Sequence, residues 1–157
     1  MKVLVALLGR SGWALFNSVW ATISRQDYVP EKVYILTDGC QMKLAEQVRT
    51  MLSILLAEYE ERHQIEIIPL DPEMVHDIAD KVREIAEREK KLGNITALDV
   101  TSGTKPLVMG AVLPSVRSDL FDHVFCLHVD DLKNADRPYI TIPLMVQQDH
   151  DLLREVR

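Results

Sequence analysis

Short, nearly continuous apolar runs alternate along this chain with longer segments of helical period, and that alternation leaves few folds open. The runs are Val3–Leu8, Val33–Leu36, Ile65–Leu70, Ile95–Val100 and Val124–Val129. Strands that are apolar at successive positions are buried on both faces, as in a parallel sheet covered by helices. Between them, Trp13–Ser24 sets Leu15, Phe16, Val19, Trp20 and Ile23 on one stripe. Met42–Glu60 does the same with Leu44, Val48, Met51, Leu52 and Leu55. A third helix turns Met74, Ile78, Val82 and Ile85 inward and keeps its charge outside, with Glu84 and Arg88 spaced as an i,i+4 pair. Asp71-Pro72 reads as its N-cap and first helical residue, and Leu92-Gly93-Asn94 as its stop. Pro106 sits in the first turn of a fourth helix, where its missing N–H costs nothing.

After the fifth run comes a polar loop, Asp131–Pro138, then Tyr139–Pro143, which reads as a sixth strand paired back on the fifth. The expected fold is α/β and Rossmann-like: a mostly parallel six-stranded sheet with helices on both faces and a C-terminal β-hairpin. Residues 1–143 are expected to form one ligand-binding domain, and 144–157 a polar, weakly helical tail.

Composition narrows the function. The chain has 157 residues, 47% hydrophobic, which suits one domain with a substantial core and excludes disordered or collagen-like classes. Lys and Arg number 18 against 24 Asp and Glu, a net charge of −6. That argues against coating long nucleic acid, which needs a broad basic face, but leaves room for a small anion at one local site. Cys40 and Cys126 lack C-x-x-C spacing, so no disulfide framework or zinc site is expected, and the setting is read as reducing and cytoplasmic. No apolar run approaches the roughly 18 residues of a membrane span. Met1–Leu8 is followed by Gly9-Arg10-Ser11-Gly12 rather than a cleavage site, so it reads as a strand and not a signal peptide.

In an open α/β sheet, ligands bind beyond the carboxyl ends of the strands, near the switch in strand order. Two of the segments found there stand out. Gly9-Arg10-Ser11-Gly12-Trp13 follows the first strand, and Thr101-Ser102-Gly103-Thr104-Lys105-Pro106 the fourth. Both are small, glycine- and hydroxyl-bearing loops running into a helix N-terminus, where free N–H groups and the helix dipole favour a phosphate. Ser11, Thr101, Ser102 and Thr104 offer hydroxyls, and Arg10 and Lys105 offer charge. A lysine in a first turn opposes the dipole and so asks for a reason. Thr37 and Asp38 follow the second strand, and Asp38 is placed where acidic residues of other Rossmann-like folds meet a ribose. The plainer account of each loop is a tight turn with a cap; two such loops plus the lysine favour a ligand.

Known nucleotide fingerprints do not fit. The first loop lacks the third glycine of G-x-G-x-x-G, and the second is not a Walker motif. The first loop also misses the nucleophile elbow by one position, so a hydrolase built on Ser11, His128 and Asp130 has only strand-end location behind it. Trp13 and His128 are each read more readily as core residues than as ligand contacts.

Leu98-Asp99-Val100-Thr101-Ser102-Gly103-Thr104-Lys105 resembles the fourth-strand signature of the CRISPR-associated Rossmann-fold (CARF) domains, Asp-hydrophobic-Thr, then Gly, then Thr-Lys opening a helix. The first loop is similar to that family's Gly-x-Ser turn, and the strand–helix order is similar across almost the whole chain. Ser102 departs from the pattern, standing where many members have a second glycine. The resemblance implies a homodimer that binds cyclic oligoadenylate, tetra-adenylate first among the ring sizes, across its two-fold axis. It further implies a ring nuclease of the stand-alone type, acting without metal or cofactor. A ribose 2′-OH would attack the neighbouring phosphate to leave a 2′,3′-cyclic phosphate, Lys105 would stabilise the transition state, and Ser11 would position the phosphate. Gly9, Arg10, Gly12, Trp13, Thr37, Asp38, Thr101, Ser102, Gly103 and Thr104 are the expected ligand contacts. The alternatives are a non-catalytic sensor or sink for the same messenger, and an unrelated nucleotide-binding domain.

Overall fold

The computed structural model describes residues 1–60, 62–115 and 119–156. Six strands form one sheet: β1 (Lys2–Leu8), β2 (Lys32–Asp38), β3 (Gln64–Leu70), β4 (Ile95–Ser102), β5 (His123–Val129) and β6 (Gln147–Asp151). Their spatial order is β3-β2-β1-β4-β5-β6. Pairs β1–β2, β1–β4, β2–β3 and β4–β5 are parallel, and β5–β6 is antiparallel. The expected Rossmann-like sheet with a closing hairpin is therefore what forms. The chain leaves β1 in one direction toward β2 and β3, then returns to the other side of β1 with β4. The switch point thus falls between β1 and β4, and the two loops singled out above leave the sheet side by side.

The unbroken apolar run of β1 is explained by its central place. Leu4, Ala6 and Leu8 pack under α1 (Gly12–Gln26) and α2 (Met42–Ala57) on one face. Val3, Val5 and Leu7 pack under α3 (Val75–Lys91) and α4 (Lys105–Val112) on the other.

Four expectations are corrected. The sixth strand is not Tyr139–Pro143: Tyr139–Thr141 is a 3-10 turn, and Gln147–Asp151, expected in the tail, pairs with β5 instead. Gln147, Asp149 and Asp151 are polar, so no hydrophobic alternation marked this strand; its ladder to β5 supplies what the side chains do not. β3 is not buried on both faces but is the half-exposed edge, which is where Pro69 can be tolerated in a strand. α3 starts at Val75, not at Pro72, because the Asp71 carboxylate accepts from the Glu73 amide and closes a separate turn first. His128 is not a buried strand histidine: its side chain is 60% exposed and pairs with Asp130 at 2.9 Å.

Candidate functional site

The β1–α1 and β4–α4 loops are locked together by their smallest residues. A Cβ built on Gly9 would lie 2.2 Å from the Ser102 carbonyl oxygen, so only glycine lets the two backbones meet. Gly103 has the same role toward the core, where a Cβ would come within 2.9 Å of Leu7 Cβ. The Ser102 hydroxyl bridges the loops: it donates to the Ser11 carbonyl at 2.9 Å and accepts from the Gly9 amide at 3.4 Å. Ser102 is thus a staple between the loops, and its hydroxyl is already engaged.

Thr101 is engaged as well. Its Oγ1 accepts from the Leu127 amide of β5 and lies 2.8 Å from Ser18 Oγ of α1. The β4–β5 register ends at Asp99 opposite Phe125, and beyond that the threonine hydroxyl replaces the ladder acceptor. Asp99 anchors this corner by accepting from the Thr101 amide at 2.8 Å. It is 1% exposed, and burial pushes its carboxyl pKa up, against hydrogen bonds from Ser18 and Thr101 that pull it down. Burial likewise raises Cys126, with the negative charge of Asp99 and Asp149 adding to it.

Ser11 is the N-cap of α1, its Oγ accepting from the Ala14 amide at 3.1 Å. The same hydroxyl lies 3.5 Å from the Asp136 carboxylate. Thr104 caps α4 by backbone geometry alone, and its Oγ1 is buried with no hydrogen-bond partner. Among the described residues neither Arg10 nor Lys105 has an ion pair, although acidic residues outnumber basic ones in the chain. No acidic residue stands in the first turn of α1 or α4.

These groups enclose a cavity of about 610 Å³ lined by Arg10, Ser11, Ala14, Thr101–Lys105 and Pro106. Two helix N-termini and two cations without an ion pair among the described residues thus face a single volume, which suits a compact polyanion. The structure brings together Arg10, Ser11, Thr101, Ser102, Gly103, Thr104 and Lys105. Gly9 and Gly12 shape the turn from behind. Trp13 packs against the α1–α2 core and meets Phe16 edge-on at 5.9 Å. Thr37 and Asp38 lie elsewhere: Thr37 is buried with its hydroxyl on the Leu8 carbonyl, and Asp38 caps the turn at Gly39–Gln41 through the Cys40 amide. His128 does not line the cavity. Among the described residues no three His, Cys, Asp or Glu side chains converge as a metal site needs.

A smaller recess of about 140 Å³ adjoins the cavity and shares Ala14 and Thr101 with it. Asn17, Leu127 and Val129 complete its lining. Asn17 lies beside the apolar stripe of α1 and is buried, its Nδ2 donating to the Arg137 carbonyl at 2.8 Å.

The fold and the paired loops define a class, the Rossmann-like domains in which two loops meet at the β1/β4 switch point, where open α/β sheets take their ligands. No family model matches the chain. It is 32% identical, over 116 residues, to the CRISPR system ring nuclease SSO2081 of Saccharolobus solfataricus, a match covering 72% of this chain and 64% of that protein. Among solved structures it superposes on Enterococcus italicus Csm6 bound to cyclic hexa-2′-fluoro-hexa-dAMP (TM-score 0.59, 17% identity, 99% of this chain and 42% of that one). It also superposes on Can2 from Sulfobacillus thermosulfidooxidans in complex with cyclic tetra-adenylate (TM-score 0.57, 17% identity, 85% and 33%). The resemblance read from the Thr101–Lys105 motif is borne out by these likenesses: the chain is similar in sequence to a ring nuclease, of whose length it spans less than two thirds, and it shares its fold with the two ring-bound proteins. No helix among the described residues is long and apolar enough to cross a membrane.

Proposed function

We propose that this protein binds cyclic oligoadenylate in the cavity between the β1–α1 and β4–α4 loops and cleaves it. The observation that carries the reading is the convergence of both helix N-termini, Arg10 and Lys105 on one volume. A ring of phosphodiesters meets each of these with an anionic oxygen. A homodimer would place two copies of the site around one ring and double the charge available to it. Met109 and Leu113, each about half exposed and one turn apart from α4 onward, are apolar surface that a second copy would cover.

In the cleavage step a ribose 2′-oxygen bonds to the adjacent phosphorus, the P–O5′ bond breaks, and a 2′,3′-cyclic phosphate and a 5′-hydroxyl result. The proton leaves the 2′-OH and one reaches the 5′-oxygen. The nucleophile belongs to the substrate, so the protein's task is alignment and charge. Ser11 and the α1 N-terminus orient the phosphate, and Lys105 stabilises the charge that develops on its oxygens.

A binding-only role, as a sensor or sink, has one observation in its favour: among the described residues no histidine, aspartate or glutamate lines the cavity to take the 2′-OH proton. Incubating the protein with cyclic tetra-adenylate in EDTA and separating products by chromatography decides between the two. Linear products ending in cyclic phosphate are expected; intact ring co-eluting with the protein refutes cleavage, and no binding refutes the ligand. Light scattering with and without the ring tests the dimer, and a monomer in both refutes the shared site.

A further inference from the structure

The cleavage step needs a group to take the 2′-OH proton, and among the described residues the cavity lining offers no carboxylate or imidazole. Two carboxylates meet lining residues from outside. Asp99 accepts from the Thr101 amide at 2.8 Å, but it is 1% exposed and is hydrogen-bonded to Ser18 in the interior. Asp136, in the connection between β5 and β6, is exposed and lies 3.5 Å from Ser11 Oγ. It makes no ion pair among the described residues. A carboxylate beside a site for a polyanion weakens binding by repulsion, so its place there asks for a purpose.

The proton of the Ser11 hydroxyl is placed by its two partners. An amide N–H can only donate, so that of Ala14 takes one Oγ lone pair, at 3.1 Å. An ionised carboxylate can only accept, so the hydroxyl proton is turned toward Asp136. What Ser11 Oγ has left is a second lone pair. A ribose 2′-OH can donate to it; an anionic phosphate oxygen cannot, and is met by the Ser11 main-chain N–H instead. At 3.5 Å the Ser11–Asp136 contact is long for a hydrogen bond between oxygens, as catalytic contacts often are before substrate draws them together.

We infer that Asp136 is the final proton acceptor of the cleavage step, acting through Ser11. As the 2′-oxygen bonds to phosphorus, its proton passes to Ser11 Oγ and the Ser11 proton passes to the Asp136 carboxylate. The P–O5′ electron pair leaves with the 5′-oxygen, which takes a proton from water. Asp136 is exposed, so it returns its own proton to solvent and the relay is reset. The inference rests on the proposed cleavage and deepens it: Asp136 does not touch the ring, but positions the Ser11 hydroxyl and then relieves it of its proton.

The test measures single-turnover cleavage of cyclic tetra-adenylate and, with the uncleavable 2′-deoxy ring, affinity by calorimetry, on the intact protein and two variants. Asp136→Asn keeps an acceptor for Ser11 but cannot take up a proton, whereas Asp136→Glu keeps the carboxylate. Asp136→Asn should cleave about 100-fold or more slowly, the contribution of a general base. It should bind the ring at least as tightly as wild type, because one negative charge is gone. Asp136→Glu should recover part of the lost rate. Cleavage at the wild-type rate by Asp136→Asn overturns the inference and leaves the proposed function standing. A fall in rate and affinity together, with a lower Tm, also overturns it, since the carboxylate then only complements the N-terminus of α1. An Asp136→Glu protein no faster than Asp136→Asn overturns it too. A wild type that binds the ring and leaves it intact overturns the inference and the proposed cleavage together.

Discussion

Gly9→Ala isolates what holds the two site loops together. Gly9 does not need a left-handed backbone; Gly93 is the one glycine with positive φ among the described residues. The demand at Gly9 is space. The new Cβ would lie 2.2 Å from Ser102 O, 3.2 Å from Thr104 N and 3.3 Å from Gly103 C, all backbone atoms that no rotamer change can move. Relaxing the oxygen contact to an ordinary carbon–oxygen distance requires the loops to part by about 1 Å. The Ser102–Ser11 bond at 2.9 Å would then exceed hydrogen-bond range, and the weaker Gly9–Ser102 bond at 3.4 Å would be lost. Overpacking strain of about 1–3 kcal/mol and one to two lost bonds at about 1 kcal/mol each are opposed by a gain of about 0.5 kcal/mol from a stiffer unfolded chain. The net is roughly 2–4 kcal/mol, a fall in Tm of about 5–15 °C at this chain length, read by calorimetry. Ring binding should fall with it, because Arg10 and Lys105 no longer face one volume. Gly39→Ala is the matched control, since a Cβ there meets nothing within 4 Å. A Gly9→Ala protein that melts within about 1 °C of wild type and binds the ring equally would refute the idea that close approach of these loops builds the site.

Lys105→Ala should leave Tm unchanged, because Lys105 is exposed and makes no ion pair among the described residues, yet reduce cleavage about 100-fold or more in a single-turnover assay. Asp99→Asn bears on pH. Burial raises the Asp99 pKa in the fold, so the unfolded chain ionises first as pH rises, and stability falls between the unfolded value and the raised one. The variant keeps an acceptor for Thr101, so it should match or exceed wild-type stability at pH 7 and lose that pH dependence in denaturant titrations. Glu89 works with the opposite sign: burial pushes its carboxyl up, but hydrogen bonds from Tyr34, Lys32 and Asn94 outweigh this and leave it below the usual range. Its stabilisation is present at neutral pH and is lost as pH falls through the depressed value. Glu89→Gln should therefore cost about 3 kcal/mol at pH 7 and much less in acid, as urea midpoints at the two pH values would report.

The alternation of apolar runs and helical stripes determined the fold class, since strands buried on both faces fit only a sheet covered on both sides. It also determined the two loops and Lys105, because turn chemistry and helix-start signals are local. What it could not reach were facts of the third dimension. β6 is written in polar residues and is a strand only because β5 offers it a ladder. Thr37 and Asp38 follow a strand as the loop residues do, but β2 lies one place away from the switch point, so they fall outside the cavity. Ser102, Thr101 and Thr104 are alike as hydroxyl donors in the sequence; packing decided that the first two tie the structure together and that the third is free. Asn17 carries no local signal, because an unpartnered buried oxygen is a property of what surrounds a residue and not of the residue itself.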